Sequence, residues 1–191
     1  MNDAQIIARI LAGETDAYRL LVAKYHRPVF ALVTGLVRNS TDVEDLAQEV
    51  FVAAFTHLDS FDIRRAKFGT WLLTIARNRC CNHLKRRPVQ NSNPDDWISG
   101  IPAPDLDASN RETWMRLDAA LECLSIEQRT AFILAELQEI PLAEIAAIEG
   151  VPLGTVKSRV SRAKERLRQV LKDLRPDGCG SEASQTARSF P

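Results

Sequence analysis

Cys80, Cys81 and His83 stand within four residues of one another, where soft metal ligands or a reactive thiol could act together. Two thiolates and an imidazole can hold zinc, and a thiol pair can exchange electrons. On a helix, however, neighbouring side chains point about 100° apart, so Cys80 and Cys81 do not chelate together easily. With Cys123 and Cys179 they make four cysteines, and no pair has the two-residue gap of a zinc knuckle or a thioredoxin-type motif. The expectation is small side chains partly buried on a helix, in a reducing compartment, with a redox or metal role left open. The three histidines, His26, His57 and His83, are scattered, and there is neither a Gly-rich phosphate loop nor a His-Glu-x-x-His word. Neither catalysis nor a cofactor is expected.

The chemistry that the residues do favour is contact with a polyanion. Formal charge sums to zero over 191 residues, yet it is unevenly placed. Residues 61–87 hold eight Lys and Arg against Asp62 alone, and residues 153–172 hold seven against Glu165 alone. Solvated helix faces usually mix signs, so two basic segments in a neutral chain point to two contacts with one polyanion. Residues 93–118 between them are acidic, with six acidic residues against two basic ones. Asn78 and Asn82 are one helical turn apart, so their amides can share a face and meet base edges. From Asp42 to Leu58 there is no Lys or Arg, and Asp42, Asp45, Gln48 and Glu49 give an acidic and amide face suited to a basic partner.

The elements that position these residues are helical. Glycine is sparse, 45% of residues are hydrophobic, and alternating runs with hairpin turns are absent. The fold class expected is all-α: two small helical domains joined by a flexible linker. The first, residues 1–90, has four helices: about 3–12, one after Thr15-Asp16, Asp42 to about His57, and one carrying Phe68, Trp71, Leu72, Ile75 and Ala76 inward. In the third helix Val43, Leu46, Ala47, Val50 and Ala54 make the stripe, widened by Phe51 and Phe55. Trp71 could stack on a base, but its spacing favours a core position. An acidic linker occupies 91–116, where Pro94, Pro102 and Pro104 interrupt any helix. The stretch from Pro88 to Asp107 has no periodic apolar face, so the two halves are expected to fold separately and to shift against each other. The second domain covers 117–175 and a disordered tail 176–191. No apolar stretch reaches the ~20 residues that span a bilayer, and the N-terminus lacks a basic-then-apolar signal layout, so a soluble, cytoplasmic protein is expected.

In the second domain Ser125 to Gln128 has the pattern of a capping box, and the helix it opens carries Ala131, Phe132, Leu134, Ala135 and Leu137. The sharpest pattern runs from Pro141 to Leu167. A short helix buries Leu142, Ile145 and Ala146, Gly150 supplies a left-handed corner, and Val156, Val160, Ala163 and Leu167 stripe a second helix. That second helix starts near Thr155 and sends Lys157, Ser158, Ser161, Arg162 and Lys164 outward, and these with Thr155 are the DNA contacts a major-groove recognition helix requires. A helical hairpin that merely packs would not need this basic face.

Three words carry a resemblance to a known family: Asp42-Val-Glu-Asp-Leu-Ala-Gln-Glu-Val-Phe51, Phe68-Gly-Thr-Trp-Leu-Leu-Thr-Ile-Ala-Arg-Asn78, and Ile145-Ala-Ala-Ile-Glu-Gly-Val-Pro-Leu-Gly-Thr-Val-Lys-Ser-Arg-Val-Ser-Arg-Ala163. In this order, across a polar linker, they resemble the extracytoplasmic-function (group 4) sigma factors of the sigma-70 family. The resemblance implies a factor that binds core RNA polymerase and directs it to promoters. Asp42, Asp45, Gln48 and Glu49 would dock on the β′ clamp, and the second domain would meet the β flap. The 61–67 loop would hold a flipped base of the −10 element. Arg64, Arg65, Lys67, Arg77, Asn78, Asn82 and Lys85 would contact that element, with Arg79, Arg86 and Arg87 on phosphates. The recognition helix would read the −35 element. The resemblance also implies control by an anti-sigma factor, possible membrane linkage of that partner, and no membrane insertion of this chain. Cys80-Cys81 departs from the small or polar residues usual there. A plain helix-turn-helix regulator would leave residues 61–87 without a purpose, and a sigma mimic would be expected to lack the basic face after Lys157.

Overall fold

The computed structural model describes residues 1–37, 40–86, 117 and 119–173, and among these every regular element is a helix or a tight helical turn. α1 (Asp3–Leu11) is closed at its start by Asn2 and Gln5, whose side chains satisfy each other's backbone N–H groups at 2.9 and 3.1 Å. It buries Ile6, Ile7 and Ile10, and Gly13 turns the chain at φ 103. A 3₁₀ turn over Thr15–Ala17 leads into α2 (Tyr18–Leu36), which runs through Pro28. α3 (Ser40–Thr56) buries the stripe Val43, Leu46, Ala47, Val50 and Ala54, as its spacing predicts. Phe55, expected to widen that stripe, lies one step past its edge, 40% exposed and edge-on to Tyr18 at 4.9 Å. α4 (Phe68–Arg86) buries Phe68, Leu72, Leu73, Ala76 and Cys80, with Trp71 and Ile75 half-buried.

Past the linker, residues 119–122 are helical, and the Ser125–Gln128 capping box forms as expected to open α5 (Ile126–Phe132). The chain then widens into a π turn, Ile133–Leu137, closed by the Gln138 N–H on the Ile133 carbonyl at 3.1 Å. The extra residue in this turn shifts the angular positions of its side chains. Ile133 and Leu134 go fully inside, and Leu137 is 45% exposed. α6 (Leu142–Glu149) ends at Gly150, left-handed at φ 66, and α7 (Leu153–Asp173) comes after it.

The two groups of helices occur in the predicted order, but they are packed on each other. One core runs from Ile6, Leu32 and Leu72 through Ile133, Leu134, Ile145 and Ile148 to Val156. A smaller one joins Leu121 and Leu124 to Ala163 and Leu167. The contact between the halves is direct, side chain to side chain. Ile133 fills the hollow left by Gly35 on α2, where a Cβ would come within 2.4 Å of its Cδ1. The Gln138 amide donates to the Pro28 carbonyl at 3.1 Å. A linker without an apolar face said nothing about this, because the apolar faces that meet lie on α2, α4, the π turn and α6. The predicted linker 91–116 and tail 176–191 lie outside the described residues. Among the described residues no helix is long and apolar enough to cross a membrane.

Candidate nucleic-acid interface

Asp62 shapes the loop between α3 and α4. Its carboxylate accepts from the Arg64 backbone N–H at 3.0 Å, and the Arg64 guanidinium grips both its oxygens at 3.0 and 2.9 Å. Hydrogen bonding to Arg64 holds the Asp62 carboxyl below its ordinary range. The loop is footed on rings: Phe61, Phe68 and Trp71 lie 5.2 to 5.7 Å from one another. Trp71 is thereby held in that cluster as well as half-exposed, which favours its packing role over a free stacking platform.

From this foot the polar and basic residues of the loop and α4 differ in what they meet. Arg65, Asn78, Asn82 and Lys85 are exposed, and the two asparagines share one face as their spacing requires. Arg64 is exposed but committed to Asp62. Lys67 reaches Glu144 of α6 at 2.5 Å, and Thr70 donates to the other oxygen of the same carboxylate at 3.1 Å. Arg77 is half-buried and donates to the Asn78 side chain at 3.1 Å. Arg79 crosses to Glu49 of α3 at 3.1 Å. Arg87 lies outside the described residues.

On α3, Asp45, Gln48 and Glu49 are exposed on one face, which continues through Glu44 into Val52, 64% exposed. Asp42 is turned away from it, half-buried with the His83 ring 3.5 Å off. The sequence reading missed Val52, whose apolar side chain on an otherwise polar face was the available signal. The same His83 contact takes the imidazole away from the cysteines. Cys80 is buried, its thiol pushed up to about 12 by burial, while Cys81 is half-buried. Among the described residues no group of three His, Cys, Asp or Glu side chains converges on one point.

The second interface is built on the α6–Gly150–α7 corner. Val156, Val160, Ala163 and Leu167 are all buried, which leaves Lys157, Ser161 and Arg162 exposed on α7. Thr155 and Ser158 are half-buried, and the Ser158 hydroxyl donates to the Thr155 carbonyl at 2.9 Å. Lys164 pairs with Glu136 at 2.7 Å. Arg159, not singled out from sequence, has a structural role. It pairs with Glu149, whose side chain is fully buried at the corner and pinned to α7. Burial pushes the Glu149 carboxyl up, against the pull of Arg159.

Described residues whose regular elements are all helical, with a helix-turn-helix, a second basic helix preceded by an ordered loop, and an acidic helix beside it, define a DNA-binding transcription protein of two linked modules. Residues 21–88 match the family described as Sigma-70 region 2, and residues 114–167 match Sigma-70, region 4. The chain is similar to ECF RNA polymerase sigma factor SigW of Bacillus subtilis, 32% identical over 180 residues, 88% of this chain and 96% of that one. It is 35% identical to ECF RNA polymerase sigma-E factor of Escherichia coli over 184 residues, covering 87% of this chain and 93% of the relative. Among solved structures it is similar to the sigma factor RpoE in complex with the anti-sigma factor NepR from Bartonella quintana, with a TM-score of 0.65 and 28% identity over 83% of this chain and 98% of that one. The chain belongs to the extracytoplasmic-function sigma factors of the sigma-70 family, transcription initiation factors.

Proposed function

We propose that α3 docks this sigma factor on core RNA polymerase, that the 61–67 loop and α4 open and read the −10 element, and that α7 reads the −35 element. The observation that carries this reading is the segregation of exposed charge. Asp45, Gln48 and Glu49 are presented on α3, Arg65, Asn78, Asn82 and Lys85 on the loop and α4, and Lys157, Ser161 and Arg162 on α7. A basic clamp surface on the polymerase fits the first, and DNA fits the other two. Melting needs a base drawn from the stack and held while cations neutralise its phosphates. A loop fixed by Asp62–Arg64 beside α4 suits that task. Asp42 belongs to this docking set only through its place on α3, since its side chain turns toward His83. Arg64, Lys67, Arg77 and Lys164 would have to exchange their present partners for DNA. The β flap would be met by the α5–α7 half.

Control by an anti-sigma factor is part of the same proposal. The similar RpoE structure holds an anti-sigma factor, and a partner of that kind would act on this chain by covering the docking and DNA faces together. Membrane linkage of that partner and action in the cytoplasm belong to the same proposal. Core-polymerase binding tests the reading. Asp45→Arg reverses charge at an exposed position of α3, and should weaken affinity for core with helicity intact. Unchanged affinity would remove α3 from the docking role.

A further inference from the structure

α1 lies outside the matched stretch 21–88, yet it reaches the first turn of α4 through one phenol. The first helical bond of α4 runs from the Trp71 N–H to the Lys67 carbonyl, so the Gly69 N–H has no acceptor within its own helix. Tyr25 of α2 supplies one. Its oxygen takes a hydrogen bond from the Gly69 backbone, and its hydroxyl donates to the Asp3 carboxylate of α1 at 2.6 Å. The other Asp3 oxygen accepts from Lys24 at 2.5 Å. Burial, with Asp3 beside it, pushes the phenol up, so it stays a donor at neutral pH. The ring is fixed as well. It stands edge-on to Phe68 at 5.3 Å, and Phe68 meets Phe61, at the start of the loop, at 5.6 Å. A Cβ at Gly69 would come within 2.8 Å of the Tyr25 Cε1, so this approach of ring to backbone needs glycine.

We propose that Asp3 and Tyr25 are positioning residues for promoter opening: Asp3 orients the phenol, and the phenol holds the first turn of α4, which sets the pose of the 61–67 loop. The loop is then fixed at both ends, by the Asp62–Arg64 clasp near its start and by Tyr25 where it enters α4. Neither Asp3 nor Tyr25 has to touch DNA. A loop that must take and hold a base works faster when it is already ordered, because the cost of ordering is not met at the moment of opening. The role given to Asp3 and Tyr25 rests on the reading of this loop as the part that opens the −10 element; the contacts that hold the loop do not.

The test uses the full chain with purified core polymerase and a duplex promoter fragment taken from a start site that the parent protein uses on genomic template. Tyr25→Phe removes only the hydroxyl, and Asp3→Ala removes its acceptor from another element, so one variant serves if the other fails to fold. Permanganate reactivity of unpaired thymines, followed over a range of holoenzyme concentrations, separates initial binding from opening. Each variant should slow opening roughly two- to tenfold, the worth of one net hydrogen bond, with initial binding and core affinity unchanged. The double variant should be no slower than the slower single one, since both act through one chain of contacts. A role in stability alone would lower binding and opening together, and that result would overturn the proposal. Unchanged opening in both single variants, or losses that multiply in the double one, would sink it too. Hydrogen exchange at the Gly69 amide of the free protein reads the contact apart from the loop's task. Exchange should quicken in Tyr25→Phe while amides in the middle of α4 keep their protection. Quickened exchange with opening intact would leave the contact standing and bring down the loop's part in opening. Exchange as slow as in the parent would show that the phenol does not hold Gly69.

Discussion

Arg159 and Arg162 stand three residues apart on one basic helix, and only the structure separates their work. Arg162 is exposed, while Arg159 turns back to the buried Glu149 across the Gly150 corner. Neither residue stood out in the sequence, since nothing in a one-dimensional pattern says that a carboxylate and a guanidinium ten residues apart will close on each other. Removing one member of a buried pair leaves a lone charge inside, so Glu149→Ala should lower stability by about 3–5 kcal/mol. Thermal unfolding measures this, and an unchanged midpoint would show the pair to be idle. Cys80 makes a second residue-scale expectation. With its thiol pushed up to about 12 it stays protonated at neutral and mildly alkaline pH, so iodoacetamide at pH 8 should modify exposed Cys123 and spare Cys80 until the chain unfolds. Modification of Cys80 in the folded protein would mean that the α4 interior opens readily. Asn78 and Asn82, legible from spacing alone, are both exposed as that spacing requires. Alanine at either should impair open-complex formation more than closed-complex binding, by ~1–3 kcal/mol for a lost bidentate contact. Equal losses in both would remove them from the melted strand.

At the scale of elements, helices read from periodicity and caps were legible because those signals are local. The Ser125–Gln128 box and the α7 stripe came through intact, for each needs only residues within a few turns of itself. The box at Asn2 and Gln5 obeys the same rule and went unread because its helix was started without its cap. The π turn was not legible. Its i→i+5 bond goes with the seating of Ile133 against Gly35 of α2, a residue far away in sequence, so a reading by helical period carried straight through it. On α7 the exposed cations predict a specific experiment. Losing Lys157 or Arg162 to alanine should cost either general affinity or promoter selectivity. A phosphate contact lowers the log–log salt slope by roughly one unit, whereas a base contact chiefly relaxes sequence preference. Normal transcription by the double variant from the factor's own promoter would show that this helix is not the reader.

For the whole molecule, the order of modules was written in the charge blocks and the proline-rich stretch between them, but their mutual packing was not. Apolar residues at 133, 145 and 148 look like the private core of a small domain, and only their burial against α2 and α4 assigns them a shared one. The isolated segment 119–172 should accordingly be less stable than the same helices in the full chain, with Ile133 newly exposed. Chemical denaturation of both would check this, and equal stability would mean that the shared core contributes nothing. The central claim, that this chain directs initiation, is tested most directly by transcription with purified core RNA polymerase. Genomic template is transcribed with and without the protein, and transcript 5′ ends are sequenced. The account predicts start sites that depend on the protein and share one pair of upstream elements at −10 and −35, lost together when Asp45→Arg replaces the parent. Transcripts with the same start sites in its presence and absence would contradict it.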